Sequence, residues 1–256
     1  MFYDFLKWYV AAPLVRHVLR PTFIGLDNVP KQGAAVIAGN HTTAGDSYPV
    51  AVILRRRMYF PGKQELFQAK NPKGRLLAMI LRFAGQVPID PQGGASSRGA
   101  LGQLIDILDD GGLVGIFPEG TRSPDGRMYR FHTGVARMVL ATGVPVIPMA
   151  CVNTHLRRGF LGLPTMKDGV FTLTSPLDFS DWKGRQDDPV VLRWVANQIA
   201  AVLQQTTGQT YVDVYASRVK SGELTMQQAD TFVRDYPGVG DARPPTNAEL
   251  ASKGSP

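Results

Sequence analysis

Three short, unbroken apolar runs constrain this chain most: Ala34–Ala38, Leu113–Phe117 and Val144–Met149. None alternates apolar with polar residues, so a strand made from any of them has no face suited to water. Such strands are stable when both sides of their sheet are covered, the usual situation of parallel sheets packed between helices. Helical periodicity lies between and after them. Leu101, Leu104, Ile105 and Leu108 repeat at i, i+3, i+4 and i+7 within Arg98–Asp109, and Asp110-Gly111-Gly112 supplies a stop. Phe131, Val135, Met138 and Val139 mark another apolar face, and Val191, Trp194, Val195, Ile199 and Val202 a third. Thr22–Gly25, Met58–Phe60, Gln86–Ile89 and Val170–Thr174 read as further strands, and Ser47–Leu54 and Arg75–Phe83 as helices. The alternation predicts an α/β domain with a mixed, largely parallel sheet flanked by helices.

That domain is expected over residues 21–235, a length sufficient for a sizeable core. Residues 1–20 are set apart by Phe2, Tyr3, Phe5, Leu6, Trp8, Tyr9 and Val10, with Lys7, Arg16 and Arg20 among them. They read as two short helices broken or kinked at Pro13. Tryptophan and tyrosine favour a membrane interface and long cations reach toward headgroups, so a membrane-contact segment is one reading. Packing on the domain is the other. From Tyr236 to Pro256, prolines and glycines crowd among few apolar residues, which predicts a disordered tail.

Charge narrows the partners. The net charge of +7 favours anionic ones, but no long Lys/Arg block interleaved with aromatics points to nucleic acid. No apolar run approaches the ~20 residues of a spanning helix. Asp4 and Lys7 interrupt the N-terminal stretch, and no small-residue cleavage site follows it, so no signal peptide is expected. The expected place is the cytoplasmic face of a membrane, held peripherally or monotopically. One cysteine, Cys151, and four histidines exclude an internal disulfide and any zinc-finger spacing, so no metal is expected.

The chemistry concentrates in two blocks. Asn40-His41-Thr42-Thr43-Ala44-Gly45-Asp46 sets a histidine five positions before an aspartate, after the first apolar run. A neutral imidazole can accept an alcohol proton near pH 7, and a carboxylate can fix its tautomer. The competing reading is a loop histidine beside an aspartate that caps the next helix. Phe117-Pro118-Glu119-Gly120-Thr121-Arg122 follows the second run and offers a carboxylate, a turn-permitting glycine and a guanidinium whose planar fork matches phosphate oxygens. Together the blocks suggest transfer to a phosphorylated alcohol. There is no Gly-x-Ser-x-Gly elbow for a serine acyl-enzyme, and no Gly-Lys-Ser/Thr follows Gly93-Gly94 to make a P-loop.

His-x4-Asp, then Phe-Pro-Glu-Gly-Thr-Arg, then Val144-Pro145-Val146-Ile147-Pro148 resembles, in order and spacing, the 1-acyl-glycerol-3-phosphate acyltransferase (PlsC-like) family. The resemblance spans roughly residues 20 to 180. It implies a lysophospholipid acceptor, with acyl-CoA or acyl-carrier protein as acyl donor and no bound cofactor. His41 would be the base and Asp46 its orienting partner. Glu119 and Arg122 would bind the acceptor, Thr121 would shape the pocket, and Gly120 would let the backbone approach; a mutual Glu119–Arg122 ion pair is the structural alternative. Lys63 sits where the family often has a phosphate-binding lysine; a solvated loop lysine is the other reading. Gly85–Pro91 resembles a block that usually ends in arginine. Here Pro91 stands there, and Arg98, seven residues on, is either its substitute or an exposed helix residue. Acylation of another lysolipid or a glycolipid, and a non-catalytic lipid-binding role, are the alternative functions.

Overall fold

The computed structural model describes residues 5–63, 67–68, 71–72, 74–75, 78–79, 85–89, 95–159 and 162–253, without the side chains of Lys63, Ile89, Lys253 and positions 95–98 and 100. Most of the helix expected over Arg75–Phe83, and Pro91, lie outside the described residues.

Seven strands form the main sheet: β1 (Thr22–Ile24), β2 (Ala35–Gly39), β3 (Met58–Lys63), β4 (Gln86–Ile89), β5 (Leu113–Ile116), β7 (Val146–Val152) and β10 (Val170–Leu173), in the order β1-β10-β7-β2-β5-β3-β4. Every neighbouring pair is parallel except β10–β7. The sheet is therefore mixed and largely parallel, as the apolar runs imply.

The centre of the sheet is buried on both sides. In β2, Val36 and Ala38 join one core and Ala35 and Ile37 the other. The first core is closed by three helices, α2 (Ala95–Asp109), α3 (Gly134–Thr142) and α4 (Pro189–Thr207), through Leu104, Leu108, Met138, Val195 and Ile199. The second is closed by α1 (Tyr48–Ile53) through Val50 and Ile53, and by the N-terminal helix through Val15 and Leu19. Helix α4 shows why these segments are helical. Asp188 accepts the N–H groups of Val190 and Val191, Pro189 occupies the first turn, and Gly208 ends it at φ 69°. Truncating a core side chain such as Ile37 to alanine costs about 2–5 kcal/mol.

Short strands escape periodicity. Strand β6 (Met128–Tyr129) pairs with β11 (Tyr211–Val212), which pairs with β12 (Val233–Arg234). Strands β8 (Arg157–Arg158) and β9 (Pro164–Thr165) form a small antiparallel pair.

Two expectations are corrected. Helical geometry runs from residue 5 to 19 without a break, and Pro13 itself is helical at φ −59° and ψ −41°. Wide i→i+5 turns at Lys7–Ala11 and Leu14–Leu19 flank the proline, where the regular ladder loses a donor. Lys7 is buried and donates to the Arg56 carbonyl rather than reaching outward. Over the described residues 236–253 the C-terminal stretch is anchored rather than disordered. The Trp182 indole N–H donates to the Pro244 carbonyl, Arg185 to that of Pro245, and Asn247–Lys253 forms a helix. Its few polar and aromatic anchors sit elsewhere in the chain, so composition alone misses them.

Candidate active site

His41 and the Pro118–Arg122 block meet because β2 and β5 are parallel neighbours, with Ala38 opposite Ile116. Each block begins within three residues of its strand's carboxyl end, the usual position of sites in such sheets. Asn40 fixes the exit from β2. Its side-chain amide pairs with the Cys151 backbone, donating to the carbonyl at 3.0 Å and accepting the N–H at 2.7 Å. It also donates to Gln209 at 2.8 Å.

The His41 backbone is held on both sides. Its N–H donates to Glu119 Oε1 at 2.9 Å, and its carbonyl accepts the Ser123 N–H at 2.6 Å. The ring stacks on Phe117, with centroids 4.2 Å apart and planes 19° apart.

His41 Nδ1 lies 2.9 Å from Asp46 Oδ2. The same oxygen accepts the N–H groups of Thr42 and Thr43, each at 2.8 Å. The Thr154 hydroxyl donates to Oδ1, and the Thr43 hydroxyl lies 3.2 Å from it. Asp46 is fully buried, and all these neighbours treat it as an acceptor. Nδ1 must therefore carry the proton, leaving the lone pair on Nε2. Among the described residues Nε2 has no hydrogen-bond partner. Asp46 does not cap the helix, contrary to the competing sequence reading: α1 has Ser47 at its N-cap, and the carboxylate turns back onto the His41 loop. Gly45 makes that turn possible, since a Cβ there would lie 2.5 Å from the Thr154 carbonyl and 2.6 Å from Met166.

Glu119 is fully buried beneath the second block. Its other oxygen accepts the Tyr129 N–H at 3.1 Å. Burial pushes its carboxyl up to about 8, although the His41 and Tyr129 N–H groups pull the other way. At neutral pH it is thus mostly uncharged, and it forms no ion pair with Arg122 among the described residues. Both of its oxygens are thus engaged by backbone N–H groups, those of His41 and Tyr129. Gly120 adopts φ 73°, and a side chain there would strike the His132 ring at 2.9 Å. Thr121 is half-buried and Arg122 exposed on the turn just before Ser123.

Lys63 ends β3, whose backbone runs parallel beside β5 and so finishes at the same end of the sheet; its side chain lies outside the described residues. Arg98 belongs to the first turns of α2, with its side chain likewise outside. Cys151 is buried, and burial pushes its thiol up. His132 stacks on Tyr215, and His155 is exposed. Among the described residues no group of three His, Cys, Asp or Glu could hold a metal ion.

Three contributors were not assigned roles from sequence. Asn40 and Phe117 sit inside the quoted blocks, where position beside the strand ends was a usable signal. Thr154 follows β7, more than a hundred residues from Asp46, and nothing local marks it.

The family model described as Acyltransferase matches residues 20–152. The chain is 30% identical over 133 residues to a 1-acyl-sn-glycerol-3-phosphate acyltransferase of Borreliella burgdorferi, covering 51% of this chain and 50% of that protein. It is 30% identical over 147 residues to the chloroplastic LPAT1 of Arabidopsis thaliana, covering 57% and 38%. A 1-acyl-sn-glycerol-3-phosphate acyltransferase of Escherichia coli is 23% identical over 195 residues, covering 75% and 74%. The match thus spans half or less of the first two relatives. The crystal structure of PlsC from Thermotoga maritima shares the fold, with TM-score 0.53 and 22% identity over 74% of this chain and 72% of that one.

Proposed function

Because the chain belongs to the Acyltransferase family, we propose that it is a glycerolipid O-acyltransferase. It moves a fatty acyl group from acyl-CoA or acyl-carrier protein to a lysophospholipid hydroxyl, with 1-acyl-glycerol-3-phosphate as acceptor and phosphatidic acid as product. The observation that carries this reading is the His41–Asp46 pair, in which a buried, fully engaged carboxylate fixes Nδ1–H and leaves Nε2 as the base.

In the proposed reaction, Nε2 takes the hydroxyl proton as the acceptor oxygen attacks the thioester carbonyl. A C–O bond forms and the carbonyl becomes a tetrahedral oxyanion. Collapse breaks the C–S bond, and the departing thiolate takes the proton from Nε2. Asp46 stabilises the imidazolium without taking a proton, and such general-base catalysis is typically worth ~10²–10⁴ in rate. Arg122 grips the acceptor phosphate. Lys63 and Arg98 are further candidates for that phosphate.

The acceptor and product are amphiphiles, so an interfacial place suits the reaction. No helix among the described residues is long and apolar enough to cross a membrane. The N-terminal helix leaves Phe5, Tyr9, Val10 and Leu14 exposed, alongside exposed Arg16, His17 and Arg20. That combination supports peripheral binding to an anionic membrane surface.

The test is transfer from labelled acyl-CoA and acyl-carrier protein to a panel of lysolipids, with products resolved by headgroup. Label should enter phosphatidic acid, and His41→Ala should abolish transfer while the protein stays folded. Absence of transfer to every acceptor, or normal turnover by His41→Ala, would refute the proposal.

A further inference from the structure

The loop that carries the base is also joined to the turn after Arg122 by a side chain beyond the family match, which ends at residue 152. Gln209 Nε2 donates to the Gly126 carbonyl at 2.6 Å, and Gln209 Oε1 accepts from Asn40 Nδ2 at 2.8 Å. Asn40 directly precedes His41, and Gly126 closes the turn that Ser123 opens. The Gly126 N–H donates to Ser123 Oγ at 2.9 Å, and the Ser123 N–H donates to the His41 carbonyl at 2.6 Å. The links close into a ring that runs from Asn40 through His41, Ser123, Gly126 and Gln209 back to Asn40.

Backbone groups at both ends fix which way each amide points. Asn40 Oδ1 accepts the Cys151 N–H, and one Nδ2 hydrogen goes to the Cys151 carbonyl. The second Nδ2 hydrogen is left for Gln209, which must meet it with oxygen. Gln209 then turns its nitrogen to the Gly126 carbonyl, a group that can only accept. Asn40 is fully buried, so its second hydrogen is costly to leave unmet. The chain gives Gln209 little freedom. Helix α4 ends in Gly208 at φ 69°, the Gln209 N–H donates to Thr207 Oγ1 at 3.2 Å, and the Thr210 carbonyl accepts the Met128 N–H at 3.0 Å. From there β11 runs parallel to β6, with Tyr211 opposite Met128. A long helix and a two-residue strand thus deliver one amide to two loops of the site.

We propose that Gln209 is a positioning residue for acyl transfer, holding the His41 loop, through Asn40, at a fixed offset from the Ser123–Gly126 turn. This rests on the acyltransferase reading above and adds to it a residue outside the matched segment. A base displaced by about 1 Å can lose about 10²-fold in rate, so a bridge at this place bears on kcat.

The test compares wild type, Gln209→Leu and Gln209→Glu in steady-state transfer to lysophosphatidic acid between pH 8.5 and 5.5, well below each protein's melting temperature. Gln209→Leu removes both hydrogen bonds at similar size. Gln209→Glu keeps an oxygen for Asn40 but sets a second one against the Gly126 carbonyl, where it can bond only when protonated. Position 209 is half-buried, and both that burial and the facing carbonyl raise the introduced carboxyl above its usual value of about 4.3. Gln209→Leu should lower kcat by about tenfold at every pH and change acceptor KM by less than about threefold. Gln209→Glu should match it at pH 8.5, and its kcat relative to wild type should then rise by about threefold or more as the pH falls to 5.5. A glutamine that merely stabilised the fold would leave kcat of the folded protein unchanged in both variants. Thermal melting establishes that they fold, and if Gln209→Leu does not, the Gln209→Glu profile decides alone. Wild-type kcat in Gln209→Leu, or a Gln209→Glu ratio that does not rise as the pH falls, would overturn the assignment of Gln209 while leaving the acyltransferase reading intact. Wild-type protein that transfers to no acceptor would overturn both.

Discussion

Glu119 Oε1 accepts the backbone N–H of His41 at 2.9 Å, across 78 positions of sequence. With the 2.6 Å bond from the Ser123 N–H to the His41 carbonyl, it fixes the histidine backbone to the loop that carries Arg122. The histidine backbone and the loop that carries Arg122 are thus tied together at two points.

Glu119 should leave a signature in the pH dependence of stability. Burial raises its folded carboxyl from 4.5 to about 8, so the folded protein keeps a proton that the unfolded chain releases above about 4.5. Its contribution to stability must therefore decline as pH rises from about 4.5 to 8 and level off above that. The gap in unfolding free energy between wild type and Glu119→Gln, from urea titrations at pH 5, 6, 7 and 8, should shift steadily against wild type. The depressed His132 acts in the opposite direction below about 6.5 but is common to both proteins and cancels in the gap. A gap that does not change with pH would show that Glu119 ionises normally.

Asp46→Asn should lower kcat by about 10²- to 10⁴-fold, because an amide cannot serve all the donors that now converge on the carboxylate. Thr154→Val removes only one of those donors and should lower kcat by about tenfold, at a cost of about 1–3 kcal/mol in stability. Thr154→Ser restores the hydroxyl and should restore activity. Full activity in Thr154→Val would mean that the hydroxyl is not needed to orient Asp46.

Arg122→Ala should raise acceptor KM by about tenfold or more while changing kcat by less than about threefold. Arg122→Lys should fall between the two, since an ammonium keeps the charge but loses the fork. Steady-state kinetics with varied lysophosphatidic acid decide this, and an unchanged KM would remove Arg122 from the phosphate site.

The N-terminal helix divides cleanly for mutagenesis. Val15 and Leu19 face the core, whereas Tyr9 and Leu14 are exposed. The double substitution Tyr9→Asp, Leu14→Asp should leave the melting temperature nearly unchanged and reduce sedimentation with anionic vesicles several-fold. Undiminished sedimentation would refute interfacial binding by this helix.

Much of the architecture is legible in the sequence. The unbroken runs at Ala34–Ala38 and Leu113–Phe117 became adjacent, doubly covered strands because residues with no polar face have nowhere else to go. Two-residue strands such as β6 and β11 carry too little pattern to be seen, and they are the ones that attach the C-terminal segment to the Arg122 loop. Pro13 misled because the helix accommodates a lost donor through wider turns, a solution that composition does not signal.

By itself, the sequence determined which groups are available for chemistry and in what local order: an imidazole five places from a carboxylate, and a guanidinium in a glycine turn. Spacing of that kind is a property of a few consecutive residues. Only the tertiary structure decided that Glu119 turns inward to hold His41, that Thr154 supports Asp46, and that Gln209 bridges Asn40 and Gly126. Each of those depends on parallel strands ending together or on a distant segment folding back, and pairings between residues about a hundred positions apart are set by burial and register, which no local pattern encodes.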